Sequence, residues 1–473
     1  MNLFLRRSLL LLSLFASTIA LAEVPTVDTI SPDLRSKIDT AVEQGLTKTE
    51  IPSASIAIVQ DGKVVYTHAY GFADLNPKKP ATPQMPYAVG SISKQFTASA
   101  MLWLQQQGKL SLDDPVSKYF PELTRSSEVT IRELLSHTSG YQDYWPEDYV
   151  MTSMMVPATA QSIVDQWAKK PLDFDPGTKW QYSNTNYVIA GMIFEKVSGQ
   201  DLFTFLKNNF FSKLGMNDVY NYDQDGGPLV EAYYRHALGP LRVAPKIGRG
   251  WVYAAGELAM PAYDLALWDI GIMNQSLLSP ESYTQFETPF KLKDGKDTGY
   301  ALGVGVGDFQ GHKVVAHDGE VSGFTAMNLV LPNDHIAIVV LTNQDASPGA
   351  DQIGKEIVPL LLNPAGGESK PSSENEAAAR KIFNGLQHGK LDRSLFTKLC
   401  NDYFTPEALS DYAKSLAPLG EPTTFHQVRE SLRGGMTYHE FEATFPNSPV
   451  KLDITTYTMP DGKLEQYLVF PTP

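Results

Sequence analysis

Apolar and polar positions alternate in two stretches that lie far apart along the chain. The first, Ile51 to Gly71, contains two apolar runs separated by an Asp-Gly pair, which is typical of a hairpin turn. The second, Met327 to Leu341, contains two more runs around a turn of Pro, Asn and Asp. Helical periodicity lies between them, from Gln95 to Gln107 and from Tyr187 to Val197. The pattern predicts an α/β (α+β) fold, with one antiparallel sheet built from both ends of a domain and a helical subdomain inserted between them.

The composition changes near Pro364 and divides the chain. Residues 23–364 form the large predicted domain, and residues 365–376 are rich in Gly, Ser, Pro, Lys and Glu, which is typical of a linker. Beyond the linker, Ala377 to Leu386 has a helical pattern, and Val450 to Phe470 has the pattern of a hairpin. Residues 377–473 are therefore predicted to form a small α+β domain, whose role the sequence leaves open.

The first 22 residues have the features of a targeting segment. Arg6 and Arg7 precede an apolar run from Leu9 to Leu21, which ends in Ala20-Leu21-Ala22. This order predicts a signal peptide, cleaved after Ala22, and a secreted or periplasmic bacterial protein. An uncleaved membrane anchor is less favoured because the run is short for a bilayer. After cleavage no stretch of membrane length remains, so no stable membrane span is expected.

Composition excludes several classes of function. Of 473 residues, 42% are hydrophobic and 19% are charged, which is a globular balance. The net charge of −14 argues against a nucleic-acid partner, because phosphate contacts require clustered Lys and Arg. The single cysteine, Cys400, excludes an internal disulfide and a cysteine-based metal site. We expect no metal and no cofactor.

The strongest chemical signal is Ser91-Ile92-Ser93-Lys94 at the start of a predicted helix. Residues three apart share one helix face, so the side chains of Ser91 and Lys94 can meet. A serine hydroxyl becomes a strong nucleophile when a neighbouring base removes its proton, and a lysine can do so in its neutral form. The helix N-terminus also directs backbone N–H groups toward a developing oxyanion. Alone, however, this spacing often arises by chance on a solvated face.

Two further motifs strengthen the signal. Tyr182-Ser183-Asn184 leads into a predicted helix, and His317-Asp318-Gly319 lies between predicted strands. The order Ser-x-x-Lys, Tyr-x-Asn, His-x-Gly resembles the β-lactamase-related serine hydrolases, which include class C β-lactamases, D-alanyl-D-alanine carboxypeptidases, D-aminopeptidases and esterases. The resemblance runs from about Ile51 to Asn343 and implies a β-lactamase/transpeptidase-like fold.

The resemblance also implies a role for each motif residue. Ser91 would be the acylated nucleophile, and Lys94 and Tyr182 would share the general acid–base work. Asn184 would hold Lys94 and a substrate amide, and the backbone N–H groups of Ser91 and Glu320 would form the oxyanion hole. His317 and Gly319, which precede Glu320 on the same predicted strand, would belong to the substrate-binding and oxyanion-hole residues. His317 stands where many relatives carry Lys, and it could be neutral or charged near neutral pH.

These roles predict a secreted serine hydrolase that forms an acyl-enzyme on Ser91 and hydrolyses an ester or an amide. Its activity would be similar to that of an esterase or a D-amino-acid peptidase. A penicillin-binding or ligand-sensing protein with little turnover, or a β-lactamase, is the alternative. The partner would be a small molecule or a short peptide, while the oligomeric state stays open. Asp318 stands where carboxypeptidases and β-lactamases usually have Thr, so we expect neutral or cationic substrates to be preferred over carboxylates.

Aromatic residues after Gly140 permit two interpretations. Tyr141, Tyr144, Trp145 and Tyr149 either form a rim over the nucleophile or only pack the loop against the domain. His137, in a turn of Ser, Thr and Gly residues, is expected to be a structural element near the site rather than a catalytic base.

Overall fold

A computed structural model describes residues 24–224, 227–362, 374–433, 436–446 and 448–472. The predicted signal peptide, residues 1–22, lies outside the described residues, and so does the predicted linker up to residue 373. The last three residues predicted as linker, 374–376, belong to a helix instead, because this helix begins at Glu374 rather than at Ala377. The domain boundaries themselves stay a prediction.

The strands fall into one large sheet, one four-stranded sheet and two small ones. In chain order they are β1 Ser53–Gln60, β2 Lys63–Leu75, β3 Lys78–Pro80, β4 Tyr87–Ala88, β5 Tyr220–Asn221, β6 Tyr233–Tyr234, β7 Arg242–Val243, β8 Leu258–Met260, β9 Gly305–Phe309, β10 His312–Val321, β11 Phe324–Leu331, β12 Ile336–Thr342, β13 Thr424–Arg433, β14 Met436–Phe445, β15 Ser448–Thr458 and β16 Leu464–Thr472.

The helices lie mostly between β3 and β9 and at the start of the C-terminal part. They are α1 Pro32–Thr49, α2 Ser93–Gln106, α3 Ile131–Leu135, α4 Ala160–Trp167, α5 Asn184–Ser198, α6 Leu202–Leu206, α7 Ser212–Leu214, α8 Tyr253–Gly256, α9 Ala262–Met273, α10 Pro280–Phe286, α11 Gly349–Leu361, α12 Glu374–Gln387, α13 Lys398–Tyr403 and α14 Pro406–Leu416. A 3₁₀ turn, Gly90–Ile92, precedes α2.

The large sheet confirms the predicted architecture. Its strand order is β3-β2-β1-β12-β11-β10-β9, so the two hairpins from opposite ends of the domain meet where β1 pairs antiparallel with β12. The Asp61-Gly62 turn has φ values of 51° and 69°, which a two-residue hairpin turn of the I′ type requires. The helices from α2 to α10 are inserted between β3 and β9.

Burial on both faces explains the composition of the central strand. Ile56 and Ile58 of β1 pack with Ile38 of α1 and Ile353 of α11, whereas Ala57 of the same strand belongs to the core shared with the inserted helices. Successive strand residues point to opposite faces, so both faces of β1 are buried and its middle, from Ile56 to Val59, is apolar throughout. The inserted helices are thereby fixed on one face of the sheet, where the turn that leads into α2 carries the predicted nucleophile.

The C-terminal part has its own core and its own sheet. Helices α12 to α14 pack against the sheet β13-β14-β15-β16, with Phe383, Tyr412, Phe441 and Tyr467 buried between them. The hairpin β15–β16 matches the prediction, while the sequence analysis did not identify β13 and β14. Within the described ranges, no helix is both long and apolar enough to cross a bilayer.

Candidate active site

The predicted nucleophile lies in the 3₁₀ turn that leads into α2. Ser91 is half-buried there, and the Nζ atom of Lys94 lies 2.9 Å from Ser91 Oγ. The turn presents Ser91 at the N-terminal end of a buried helix, where unpaired backbone N–H groups and the helix dipole favour negative charge. The structure therefore brings together the two residues that the Ser-x-x-Lys spacing predicted to meet.

Two glycines allow strand β10 to approach this turn. A Cβ atom on Gly319 would lie 1.9 Å from the carbonyl oxygen of Val89, and one on Gly90 would lie 2.7 Å from the backbone nitrogen of Glu320. Gly90 also has a φ of 51°. Both contacts exclude a side chain, so Gly319 is required where β10 packs beside the nucleophile. The backbone N–H group of Glu320 consequently lies next to residue 90.

Strand β9 is too short to pair with the end of β10, so the edge of β10 near Ser91 stays open to a substrate. The β9–β10 ladder ends at the pair Gly305–Ala316. From His317 onward, β10 pairs with β11 on one edge only. Its other edge faces the turn that carries Ser91. An unpaired strand edge carries backbone donors and acceptors that a substrate can use.

Lys94 is completely buried and its amino group is held in one position. Its Nζ atom donates to Ser91 Oγ at 2.9 Å, to Asn184 Oδ1 at 2.8 Å and to the carbonyl oxygen of Ala255 at 2.8 Å. The three acceptors match the three donors of an ammonium group. If Lys94 gives up a proton, the same contact with Ser91 is the path along which the Oγ proton can leave.

Asn184 connects Lys94 to the loop that follows Gly140. Asn184 is the first residue of α5, and its side-chain Nδ2 donates to the carbonyl oxygen of Trp145 at 3.0 Å and to Asp143 Oδ2 at 3.3 Å. Asp143 Oδ1 also accepts from the backbone N–H of Asn184 at 2.9 Å. The amide is thus oriented with its oxygen toward Lys94. Its donors are directed at protein acceptors, so the expected contact with a substrate amide requires one of them to be released.

Tyr182 lies between Lys94 and an aromatic cluster. Lys94 Nζ is 5.0 Å from the centre of the Tyr182 ring, and the centres of the Tyr182 and His137 rings are 4.1 Å apart. His137 is fully buried, and its Nδ1 atom accepts from the backbone N–H of Ser183 at 3.2 Å. His137 therefore packs behind Tyr182, in agreement with the structural role expected for it.

His317 is held as a neutral side chain. Its Nδ1 atom lies 2.5 Å from the carbonyl oxygen of Asp318, so Nδ1 must carry the proton, and its Nε2 atom accepts from the hydroxyl of Tyr300 at 2.8 Å. Burial and, to a lesser extent, the charge of Lys94 lower the pKa of His317 to about 3. Of the two charge states left open by the sequence, the structure favours the neutral one.

The two acidic residues of this strand differ in environment. Glu320 lines the cleft, and its Oε1 atom accepts from the backbone N–H of Ala346 at 2.7 Å. Asp318 lines the cleft with an exposed side chain, and the surrounding protein together with the nearby charge of Asp351 raises the pKa of Asp318 to about 6. Lys355 and Arg429 oppose that rise. The structure therefore places Asp318 in the wall of the cleft, with two cations nearby.

These residues surround a cleft of about 570 Å³, which contains Ser91, Tyr182, Asn184, His317 and Gly319 in its walls. Tyr144, Trp145 and Tyr149 also line it, as the rim interpretation predicted. Tyr141 does not; it is buried and donates to the carbonyl oxygen of Thr124 at 3.0 Å. In the part of the chain that the structure describes, no group of three or more His, Cys, Asp or Glu side chains is placed to hold a metal ion.

Several residues of the site were not identified from the sequence. Asp143 orients Asn184, Tyr300 donates to His317, and the carbonyl of Ala255 accepts from Lys94. Tyr300 lies in a glycine-rich run from Gly299 to Gly307. Such a run is a sequence signal for a backbone that packs closely against another element. The cleft also includes residues from the C-terminal sheet, such as Tyr438 and Tyr457, which no motif announced.

Comparisons with known proteins agree with the fold. The family model described as Beta-lactamase matches residues 38–361. Penicillin-binding protein 4* of Bacillus subtilis (strain 168) is 26% identical over 316 residues, which are 63% of this chain and 70% of that protein.

Two solved structures show how far the likeness extends. A D-stereospecific amidohydrolase from Streptomyces sp. is 25% identical with a TM-score of 0.59, and the match covers 70% of this chain and 99% of that one. The octameric penicillin-binding protein homologue from Pyrococcus abyssi is 23% identical with a TM-score of 0.61, covering 92% and 99% of the two chains, and shows a likeness of fold. Because the family model covers more than half of the sequence and contains all three motifs, this chain belongs to the β-lactamase family.

Proposed function

We propose that this protein is a secreted serine hydrolase that forms an acyl-enzyme on Ser91 and cleaves a small amide or ester. The observation that carries the proposal is the 2.9 Å contact between Lys94 Nζ and Ser91 Oγ inside the cleft. A lysine that is fully buried and oriented by Asn184 and Ala255 is suited to move a proton to and from one hydroxyl.

In the proposed reaction, Ser91 Oγ attacks the carbonyl carbon while its proton passes to Lys94 in its neutral form, or to Tyr182 in its phenolate form. The backbone N–H groups of Ser91 and Glu320 stabilise the oxyanion of the tetrahedral intermediate. The intermediate then expels an amine or an alcohol, which takes up the proton and leaves Ser91 acylated. Water attacks the acyl carbon in the second half-reaction, so that the free acid is released and the Ser91 hydroxyl is restored.

We further propose that neutral or cationic substrates are preferred over carboxylates. His317 is neutral, so it cannot offer a substrate carboxylate the positive charge of the lysine found in many relatives. Seven acidic residues line the cleft, namely Glu147, Asp148, Asp318, Glu320, Asp345, Asp351 and Glu440, against one arginine, Arg429. A surplus of one sign of charge in a cleft selects the opposite sign among ligands.

The likeness to a D-stereospecific amidohydrolase makes D-amino-acid amides the first substrates to test. We propose steady-state assays of the purified protein with p-nitrophenyl acetate, D-phenylalanine p-nitroanilide and a chromogenic cephalosporin. We expect continuous turnover of the neutral ester or the amide, and slower cleavage of the cephalosporin, which carries a carboxylate.

Two results would replace this proposal. A burst of product equal to the enzyme concentration, with no steady state afterwards, would favour an acylated ligand-sensing or penicillin-binding protein, which the similarity to penicillin-binding protein 4* keeps as the second candidate. Fastest turnover of the cephalosporin would favour a β-lactamase.

A further inference from the structure

The C-terminal sheet turns one of its two faces toward the cleft that contains Ser91. Its other face packs on helices α12 to α14 through Phe441 of β14, Ile454 of β15 and Tyr467 of β16. Because side chains alternate along a strand, the neighbouring positions point to the opposite face. The cleft-lining residues of the three strands lie at these alternate positions, and we call them the C-terminal wall: Tyr438, Glu440, Thr455, Tyr457 and Phe470.

Strand register arranges this wall in rows. Tyr438 pairs with Tyr457, and their ring centres lie 5.3 Å apart. Glu440 pairs with Thr455 on one side and with Arg429 of β13 on the other. The hydroxyl of Tyr438 donates to Glu440 Oε2 at 3.2 Å. The wall therefore combines aromatic surface with charged side chains, the combination by which many binding sites recognise a ring or a cation.

The loop that orients Asn184 also holds the C-terminal sheet. The backbone N–H of Asp148 donates to Gln466 Oε1 at 2.8 Å, and Gln466 Nε2 donates back to Asp148 Oδ2 at 3.0 Å. The hydroxyl of Tyr457 donates to the same carboxylate at 3.4 Å. Only a few residues separate Asp148 from Asp143 and Trp145, which fix Asn184. The position of the wall is thus connected directly to the catalytic side chains.

A second set of contacts holds the C-terminal helices. Arg242 reaches Asp411 at 2.6 Å and Glu407 at 3.2 Å, and both acidic residues belong to α14. Nearby, His236 Nδ1 lies 3.0 Å from the hydroxyl of Tyr403 in α13. Partly buried ion pairs and hydrogen bonds at two separate places favour a fixed relative position of the sheet and the cleft.

We propose that the C-terminal wall is a substrate subsite. It binds the part of the substrate that lies farthest from the carbonyl carbon attacked by Ser91, on either the acyl side or the leaving-group side. The substrates would be amides or esters that extend by at least one further residue or ring and end in a neutral or cationic group. A cleft of about 570 Å³ is far larger than an acetyl group and fits a drug-sized or dipeptide-sized molecule. Glu440, together with Asp318 and Asp351 of the catalytic domain, disfavours a terminal carboxylate.

The inference rests on the proposed function, because the wall can act on the reaction only if the substrate reacts with Ser91. The test compares a short and an extended substrate with the same reporter group: D-phenylalanine p-nitroanilide and the p-nitroanilide of a D-phenylalanine dipeptide. A second pair, a methyl amide and a dipeptide amide of the same acyl group, extends the leaving group instead.

Tyr438→Ala and Phe470→Ala are the test variants in the full chain, with Tyr438→Phe as the conservative variant. Val428→Ala is the matched control, because Val428 is an exposed apolar residue of the same sheet and lies outside the cleft. We expect Tyr438→Ala to reduce kcat/KM about tenfold more for the extended member of one pair than for its short member, mainly through KM. Tyr438→Phe should recover most of the difference, and Val428→Ala should show none.

Equal losses for short and extended substrates in both alanine variants, or no loss in either, would overturn the subsite. If Tyr438→Ala does not fold, Phe470→Ala and Tyr438→Phe still test the subsite through the ratio of kcat/KM for the extended substrate to kcat/KM for the short one. These outcomes differ from a failure of the proposed function, in which the wild-type protein itself would neither turn over any substrate nor become labelled at Ser91.

Discussion

The cleft has two walls that differ in construction. The catalytic wall consists of Ser91, Lys94, Tyr182, Asn184 and His317. Short hydrogen bonds join Lys94 to Ser91 and Asn184 and fix His317, and the Tyr182 ring packs against Lys94 and His137. The C-terminal wall presents two half-buried rings, Tyr438 and Phe470, and the carboxylate of Glu440, while Tyr457 is buried beside Tyr438. Proton transfer requires donor and acceptor within hydrogen-bond distance, whereas recognition of a larger group tolerates looser contacts.

This contrast separates two kinds of substitution. A change in the catalytic wall is expected to reduce the rate for every substrate, because each side chain there acts on the reacting atoms or fixes one that does. A change in the C-terminal wall, or at the boundary between the walls, is expected to alter which substrates react. The predictions below test that separation, beginning with the largest effect.

Lys94→Ala and Tyr182→Phe should each reduce kcat at least about 100-fold for short and extended substrates alike, which is the usual scale for loss of general acid–base catalysis. Lys94→Met retains most of the buried volume of the stem and should be equally inactive. Steady-state kinetics, with a thermal melt of each variant, measure the effect.

Ser93→Ala is the control for this pair. Its hydroxyl points away from Lys94 and accepts from the backbone N–H of Leu258 at 3.1 Å, so its loss should cost less than about tenfold in kcat. Equal losses at Ser93 and Lys94 would show that the face of α2 has been assigned wrongly.

Asp318→Thr tests the boundary between the walls and should improve kcat/KM for a penicillin, relative to a neutral ester, by about threefold to tenfold. The reason is that a substrate carboxylate no longer meets the Asp318 charge, which the nearby Lys355 and Arg429 only partly offset. In the wild-type protein this discrimination should weaken as the pH falls through about 6, where the Asp318 carboxyl becomes protonated.

A pH series of the two kcat/KM values decides the matter. If the Thr variant shows no relative gain, or if the wild-type ratio stays constant between pH 5 and pH 8, Asp318 does not set the preference.

Glu257→Gln tests how much the ionisation of a buried carboxyl beneath the catalytic wall destabilises the fold. Its effect is expected on the free energy of unfolding. Burial, reinforced by Asp223, raises the pKa of Glu257 from 4.5 to about 8. Between these pH values the folded protein holds a proton that the unfolded chain has lost, so this group makes stability fall as the pH rises through the window. The glutamine cannot ionise and therefore removes the penalty.

The variant should match the wild type near pH 4 and exceed it near pH 8 by a few kcal/mol at most, at about 1.4 kcal/mol per pKa unit. Thermal melts would show a gain in Tm of roughly 5 °C at the higher pH. Glutamine can keep the 2.8 Å hydrogen bond that Asn221 donates to Glu257. A pH-independent difference would mean that Glu257 stays ionised in the folded protein.

Local features of this protein were predictable from the sequence. The hairpin around Asp61-Gly62 and the Ser91–Lys94 pair depend on residues close in the chain, whose geometry follows from turn and helix periodicity. The meeting of β1 with β12 followed from the rule that apolar strands at both ends of a domain need one shared sheet.

Long-range contacts were not predictable in the same way. Tyr300 contacts His317 across 17 positions, and Asp148 contacts Gln466 across 318, and neither pair has a spacing that marks it in the sequence. Strands β13 and β14 contain many polar and charged residues, such as Glu440 and Glu442, and no long apolar run, so they stand out less than the buried strands of the large sheet. The charge state of His317 required its burial and its partners to be known.

The most direct test of the account is the site of acylation. Intact-protein and peptide mass spectrometry after treatment with a fluorophosphonate probe should find one adduct, on the peptide containing Ser91, in the wild-type protein. The Ser91→Ala variant should stay unlabelled and folded, since loss of a serine at a helix N-terminus costs only about 1 kcal/mol. An adduct on another serine, or labelling of the variant at the wild-type rate, would contradict the account.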